Sequence, residues 1–366
     1  MFFPFLAKGP PAVYVETMTT TAIPTAAEMY ERLKDRLAHV VPDAELRRKA
    51  EMAAEILRLK AERNAIILAH NYMEPALFYS VPDFQGDSLD LCRKAAQAQG
   101  DTIVFCGVRF MAETAKILNP SKTVLLPAER AGCSLAESIT AEDVRRLRAR
   151  FPDAPVVSYV NTYAEVKAES DICCTSSNAA AVVESLKSDR VIFLPDEYLA
   201  ANVARETGKR MICPVRGPKT EPADRDDGII SWTGRCEVHE RFTVRDIENA
   251  RRQFPNVVVL AHLECAPEVV AAADFSGSTN AMMRYVREHP ARRYLVLTEC
   301  AMSDNIAAVH PDKDMVRLCS IRCPHMNEIT LENTRDALRF NRHVIEVPRD
   351  IARRARRAIE RMLEIG

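Results

Sequence analysis

One pattern occurs three times in this chain: CSLAESITAEDV (133–144), CEVHERFTVRDI (236–247) and CPHMNEITLENT (323–334). Each copy opens with a cysteine. An apolar residue follows at the sixth position on (Ile139, Phe242, Ile329), a threonine at the seventh (Thr140, Thr243, Thr330), and Asp or Asn at the tenth (Asp143, Asp246, Asn333). A threonine with a side-chain acceptor three residues later, just ahead of an apolar-periodic run, is a helix start. Ile139 with Val144 and Phe242 with Ile247 complete hydrophobic staples; Thr334 breaks the staple of the third copy. Three helices that begin in one register after three cysteines imply three copies of one unit around a pseudo-threefold axis, where Cys133, Cys236 and Cys323 can converge. Three sulfurs from distant parts of a chain suit an iron–sulfur cluster that lacks its fourth cysteine and keeps one iron open to substrate. Taken singly, any of them reads as a small buried hydrophobe; the shared register favours ligation.

The stretches between these copies repeat as well. An apolar run of strand type (66–72, 156–162, 257–264) precedes a helix entered through small hydroxyl residues. A second strand (102–107, 190–195, 293–299), a further helix and a short strand then lead to the cysteine. Strands alternating with helices predict parallel sheets covered on both faces. The expected fold is α/β, with three pseudo-threefold-related repeats, each a small, mainly parallel sheet sandwiched by helices, around a central active site. The predicted division is a disordered leader at 1–24, α/β units at 25–134, 135–237 and 238–329, and C-terminal helices at 330–366 closing onto the first unit. Before the first repeat, Thr25 and Glu28 form a capping box for one helix, and Pro42-Asp43 opens a second with apolar face Leu46, Ala50, Ala53 and Leu57. Residues 216–235, rich in Pro, Gly and charge and holding the single tryptophan, are expected to be a loop, either a surface insertion or a lid. In the last helix Asp350 is the expected cap and Arg353, Arg354, Arg357 and Arg361 a solvated face.

Aligning the first strands brings polar pairs together at their C-terminal ends: His70 with Tyr72, Tyr159 with Asn161, His262 with Glu264. A spacing of two places each pair on one face, and ligands of parallel α/β sheets bind beyond the carboxyl ends of strands. Ser88, Ser176, Ser177, Ser278 and Thr279 stand at helix entries, where free N–H groups attract carboxylates or phosphate. His239, three residues after Cys236, is near the cysteines. Formal net charge is −1 and no reader motif is present, which argues against nucleic acid. No apolar run has membrane-crossing length. Eleven cysteines without a secretory signal indicate a reducing, cytoplasmic setting, and Met18 is an alternative start to Met1.

AHNY (69–72), GDSL (86–89), FMAETAKILNP (110–120), AGCSLA (131–136), YVNTYAEVKAESDICCTSSNA (159–179), VHERFT (238–243), GSTNAM (277–282) and CPHMNEITLE (323–332) resemble quinolinate synthases, from about residue 66 to the C-terminus. The resemblance implies a three-domain pseudo-threefold protein with a [4Fe-4S] cluster on Cys133, Cys236 and Cys323. The implied activity condenses iminoaspartate with dihydroxyacetone phosphate to quinolinate, with loss of phosphate and two waters, in NAD biosynthesis. An aspartate-oxidising enzyme would supply the iminoaspartate. It further implies an active site lined by His70, Tyr72, Ser88, Tyr159, Asn161, Ser176, His239, His262, Glu264, Ser278 and Thr279, with Tyr72, His262 and Glu264 in the chemistry. Met73, Leu263 and Arg109 depart from the family's usual residues, and Cys265, Cys300 and Cys319 are expected bystanders. The alternatives are an aconitase-like hydro-lyase for another small polycarboxylate and a non-catalytic iron–sulfur sensor.

Overall fold

The computed structural model describes residues 23–212, 227–318 and 321–365. The expected leader up to residue 22 with both start candidates, residues 216–226 of the expected insertion, and Cys319 lie outside the described residues.

Two helices open the chain, α1 (Ala26–Leu37) and α2 (Asp43–Glu62); the Thr25/Glu28 capping box starts the first. The first unit then runs β1 (Ala65–His70), α3 (Pro75–Phe78), β2 (Phe84–Gly86), α4 (Ser88–Ala96), β3 (Thr102–Cys106), α5 (Arg109–Leu118), β4 (Thr123–Leu125) and α6 (Ser134–Glu137). The second runs α7 (Ala141–Arg150), β5 (Val156–Tyr159), α8 (Ala164–Ala168), β6 (Ile172–Cys174), α9 (Ala179–Ser185), β7 (Arg190–Leu194), α10 (Glu197–Thr207), β8 (Met211–Ile212) and β9 (Gly228–Ser231). The third runs α11 (Val244–Gln253), β10 (Val258–His262), α12 (Pro267–Ala272), β11 (Phe275–Gly277), α13 (Thr279–Glu288), β12 (Arg293–Leu297), α14 (Cys300–Val309) and β13 (Asp314–Val316); α15 (Leu331–Phe340) and α16 (Arg349–Leu363) follow. Each unit holds one parallel sheet, ordered β2-β1-β3-β4, β6-β5-β7-β9-β8 and β11-β10-β12-β13, with a helix between every pair of successive strands except β8 and β9. The inner strands β1, β3, β5 and β7 are almost wholly buried, as their continuous apolar runs require.

Three short strands, β2, β6 and β11, escape the sequence reading. An aspartate fixes each of them. Asp83, Asp171 and Asp274 give their own N–H to the carbonyls of Ile67, Val156 and Val259 and accept the N–H of those same residues on a carboxylate oxygen at 2.7–2.8 Å. This reciprocal bracket sets the register of the edge strand against its neighbour. The expected strands at 66–72, 156–162 and 257–264 end earlier, at His70, Tyr159 and His262. In the first and third units an imidazole turns the chain, because Nδ1 of His70 accepts the N–H of Tyr72 and Nδ1 of His262 that of Glu264, both at 3.3 Å. Tyr72, Asn161 and Glu264 therefore lie in turns.

The expected insertion is not a loop throughout. Its end is β9, a buried apolar run beside β7, while β8 lies on the outer edge. Trp232 is buried and donates from Nε1 to the Ser138 carbonyl at 2.9 Å. Thr140, Thr243 and Thr330 cap α7, α11 and α15, with reciprocal boxes through Asp143 and Asp246 and a one-way cap at Asn333. Helix α15 lies against α2 and β3 of the first unit, burying Leu331, Thr334, Ala337 and Leu338 and leaving Phe340 exposed. Residues 343–345 then cover the open side of β4 through Leu126 N–H to His343 O and Ile345 N–H to Val124 O. Pro348, not Asp350, occupies the cap position of α16, which packs on α4, α5, α8 and β6 and so spans the first two units. Its arginine face is only partly solvated: Arg354 and Arg361 donate to the Ala168 and Asp171 carbonyls at 3.2 and 2.7 Å. Among the described residues no helix is long and apolar enough to cross a membrane.

Candidate active site

One cavity opens at the carboxyl ends of the three sheets. Sheet register defines equivalent positions on its wall. His70 pairs with Gly86, Tyr159 with Cys174 and His262 with Gly277, so His70, Tyr159 and His262 form one tier and Tyr72, Asn161 and Glu264 the next. Counting on two residues from the partners gives Ser88, Ser176 and Thr279, one hydroxyl from each unit. All nine line the cavity with His239, Cys133, Cys236 and Cys323. Ser278 does not. Its side chain caps α13 through the N–H of Ala281, which is where a serine one position before a helix finds its partner. Ser88 is the first residue of α4, capped by Asp87, and Ser176 precedes the turn into α9, so neither hydroxyl is consumed as a cap.

The three cysteines share one local geometry. Backbone N–H groups two and three residues on lower each thiol: those of Leu135 and Ala136 at Cys133, Val238 and His239 at Cys236, and His325 and Met326 at Cys323, where the Met326 N–H donates to the sulfur at 3.5 Å. Each sulfur thus stands at the mouth of a short helical turn: α6, His239–Arg241 and Met326–Glu328. Burial raises all three thiols, Cys323 to about 11, and these N–H groups oppose the rise. Cys92, Cys106 and Cys173 are buried without that pair of donors, and burial pushes each up to about 12.

Burial lowers the imidazole of His70 to about 4 and that of His262 to about 3. Geometry gives the same answer, since Nδ1 of each already accepts a backbone N–H and cannot also carry a proton toward it. Both rings are neutral with hydrogen on Nε2, and His262 Nε2 lies 3.3 Å from the Ser176 hydroxyl. Glu264 is 4% exposed. Burial alone would raise its carboxyl, but His239 Nδ1 at 3.0 Å, the neighbouring His262 and the Tyr159 hydroxyl at 2.5 Å outweigh it and hold the carboxyl well below the usual range. Burial and the charge of Glu264 push the Asp196 carboxyl up, against the Tyr198 and Leu199 N–H groups that it accepts. Tyr72 and Tyr159 are held protonated by burial and by Glu264. Asn161 presents a buried Oδ1 with no partner among the described residues.

Sequence reasoning missed Thr298 and Glu299, which follow β12. Thr298 Oγ1 contacts Tyr72 and His239, and Glu299 lines the cavity with its carboxyl pushed up to about 7 by burial. The signal was available: they occupy, at the end of the second strand, the place that the polar pairs occupy at the end of the first.

Residues 54–364 match the family described as quinolinate synthetase A protein. The chain belongs to the quinolinate synthetase A family of enzymes. It is 55% identical over 346 residues to "Quinolinate synthase 2" of Mesorhizobium japonicum, covering 94% of this chain and all of that protein. It is 55% identical over 342 residues to the quinolinate synthase of Agrobacterium fabrum (93% of this chain, 92% of that one), and 56% over 310 residues to that of Xylella fastidiosa (85% and 86%). The three departures from the quinolinate synthase pattern fall outside the cavity. Met73 and Leu263 are tied through their carbonyls to Asn305 and Asn202, each at 2.9 Å, and Arg109 pairs with Glu113.

Proposed function

We propose that this enzyme condenses iminoaspartate with dihydroxyacetone phosphate to quinolinate, releasing phosphate and two waters, with a [4Fe-4S] cluster held by Cys133, Cys236 and Cys323. The observation that carries the reading is the set of three sulfurs on one cavity wall, each at the mouth of a short helical turn whose backbone N–H groups lower its thiol. Such donors favour thiolate over thiol, which is the form that binds iron. The donor set therefore fits a cluster with three protein ligands. When bound, such a cluster supplies an iron with an open position that acts as a Lewis acid.

The remaining wall suits the substrates. Neutral His70 and His262 offer Nε2–H donors without a compensating charge, and Ser88, Ser176 and Thr279 add hydroxyls, so carboxylates and a phosphate find donors from all three units. The unpartnered Asn161 Oδ1 accepts an N–H from the imine or enamine nitrogen. Ring closure from a four-carbon and a three-carbon partner requires protons to leave carbon and to reach two departing hydroxyls. Glu264, ionised and joined to the Tyr159 hydroxyl, takes a proton delivered at the phenol oxygen; Tyr72, which holds its own, faces the same space. Iminoaspartate hydrolyses readily, so an aspartate-oxidising enzyme is the natural supplier. The test mixes anaerobically purified enzyme with dihydroxyacetone phosphate and iminoaspartate formed in situ from oxaloacetate and ammonia. Quinolinate by mass spectrometry supports the proposal. Hydration of a polycarboxylate without quinolinate would favour the hydro-lyase, and no turnover of either would favour a sensor.

A further inference from the structure

The second tier of the cavity wall is held by one device used three times. Tyr72, Asn161 and Glu264 each sit in the turn after a first strand, and in each turn a single side-chain nitrogen binds the backbone carbonyls on either side of them. Asn305 Nδ2 donates to the carbonyls of Asn71 and Met73 at 3.0 and 2.9 Å. Asn202 Nδ2 donates to those of Leu263 and Cys265 at 2.9 and 3.0 Å. In the second unit Lys167 Nζ donates to the Val160 carbonyl at 2.8 Å and to that of Thr162. All three donors are buried and stand behind the wall, outside the set of residues that line the cavity.

The two asparagines occupy one register. Asn202 is the sixth residue of α10 and Asn305 the sixth of α14, and each reaches into the next unit: α10 of the second unit holds the Glu264 turn of the third, and α14 of the third holds the Tyr72 turn of the first. The sixth residue of α5 is Thr114, whose hydroxyl is turned back to the Phe110 carbonyl of its own helix at 2.8 Å. Lys167 of α8 supplies the missing donor from within the second unit. The direction of every bond is the same at any pH, since a carbonyl only accepts and the amine carries at least two hydrogens whether charged or neutral. Each asparagine spends both amide hydrogens in this way and leaves its Oδ1 buried with no partner among the described residues. An unmet buried acceptor costs stability, so the arrangement is not explained by folding alone. Holding the carbonyls one residue before and one residue after fixes the turn at both ends, and the side chain between them leaves it in one direction. We propose that Asn305, Lys167 and Asn202 are positioning residues that aim Tyr72, Asn161 and Glu264, in that order, at the substrate. The proposal rests on the functional reading above, in which those three side chains meet substrate. It gives the contacts between units a task in the reaction, because two of the three aimed groups are set by a helix of the neighbouring unit.

Three double-mutant cycles on the anaerobically purified enzyme test this. Asn202→Leu, Asn305→Leu and Lys167→Met remove the donors at nearly constant volume, and they are paired with Glu264→Gln, Tyr72→Phe and Asn161→Ala, which remove the groups being aimed. Each donor variant should lower kcat/KM for quinolinate formation by ~10²-fold, the cost of about an ångström of misplacement, with iron content at the wild-type level. In the background that lacks its partner group the same variant should cost less than about threefold more, because residues acting as a unit are non-additive. A role in stability alone would give the same loss in both backgrounds. The inference is overturned by a kcat/KM within about threefold of wild type in any of the three donor variants, by an undiminished loss in the partner's background, or by loss of iron. Where a variant does not fold, serine at that position, which keeps a single donor, enters the same cycle with the same criteria. Wild-type enzyme that forms no quinolinate refutes the functional reading; a working wild type with indifferent donor variants refutes this inference alone.

Discussion

Acid should unfold this protein in a way that two buried histidines dictate. His70 and His262 are neutral in the fold, titrating at about 4 and about 3, because burial and a backbone N–H at Nδ1 oppose the charged form. In the unfolded chain each titrates near ~6.5. The unfolded state therefore binds protons first as pH falls, and stability, complete above about pH 6.5, is lost on the way down to about pH 4 for His70 and about pH 3 for His262. Near pH 5 almost two more protons are bound by the unfolded than by the folded chain at these sites. At about 1.36 kcal/mol per proton per pH unit, they remove about 2–2.5 kcal/mol between pH 6 and pH 5. That is a large fraction of the ~5–15 kcal/mol that holds a typical domain folded. The assay is equilibrium urea unfolding of the anaerobic protein, followed by circular dichroism at half-unit steps from pH 5 to pH 7. His262→Asn, whose amide oxygen can still accept the Glu264 N–H, should lower the pH slope by about one proton, and adding His70→Asn should lower it by another. A His262→Asn variant with the full wild-type slope would refute the claim that this ring is held neutral.

Glu264→Gln should keep its iron yet lose ~10²-fold or more in kcat, since the amide preserves shape and removes the charge that accepts from His239 and Tyr159; steady-state quinolinate formation measures it. Ser278→Ala should cost about 1 kcal/mol in urea unfolding through loss of the α13 cap and leave kcat unchanged. Leu338→Ala, at a fully buried position where α15 meets α2, should destabilise by about 2–5 kcal/mol in the same measurement.

The threefold plan was legible because helix starts carry chemistry in the sequence. The Thr-x-x-Asp/Asn signal appears at three matched places, and three capped helices stand there. The ring of polar residues was legible for a similar reason: strand ends in parallel sheets face ligands, so aligning apolar runs aligned His70, Tyr159 and His262. Strand ends were misjudged where a side chain stops the ladder, since no periodicity announces that His70 and His262 accept the N–H two residues on. The strands β2, β6 and β11 were too short to show alternation. Their aspartates, Asp83, Asp171 and Asp274, did stand in matched positions and could have revealed them. Ser278 was misread because serines that cap and serines that bind look alike until the helix start is known to one residue. Thr298 was missed because attention stayed on first strands, and its partners lie at sequence separations of 226 and 59.

The central claim is that three cysteines in one register hold one metal centre on the wall of this cavity. Iron and acid-labile sulfide, measured on anaerobically purified wild type and on Cys133→Ala, Cys236→Ala, Cys323→Ala and Cys92→Ala, test it most directly. About four irons and four sulfides per chain are expected in wild type and in Cys92→Ala, with loss of both in each of the other three. Full iron and sulfide in any of Cys133→Ala, Cys236→Ala or Cys323→Ala, or their loss in Cys92→Ala, would contradict it.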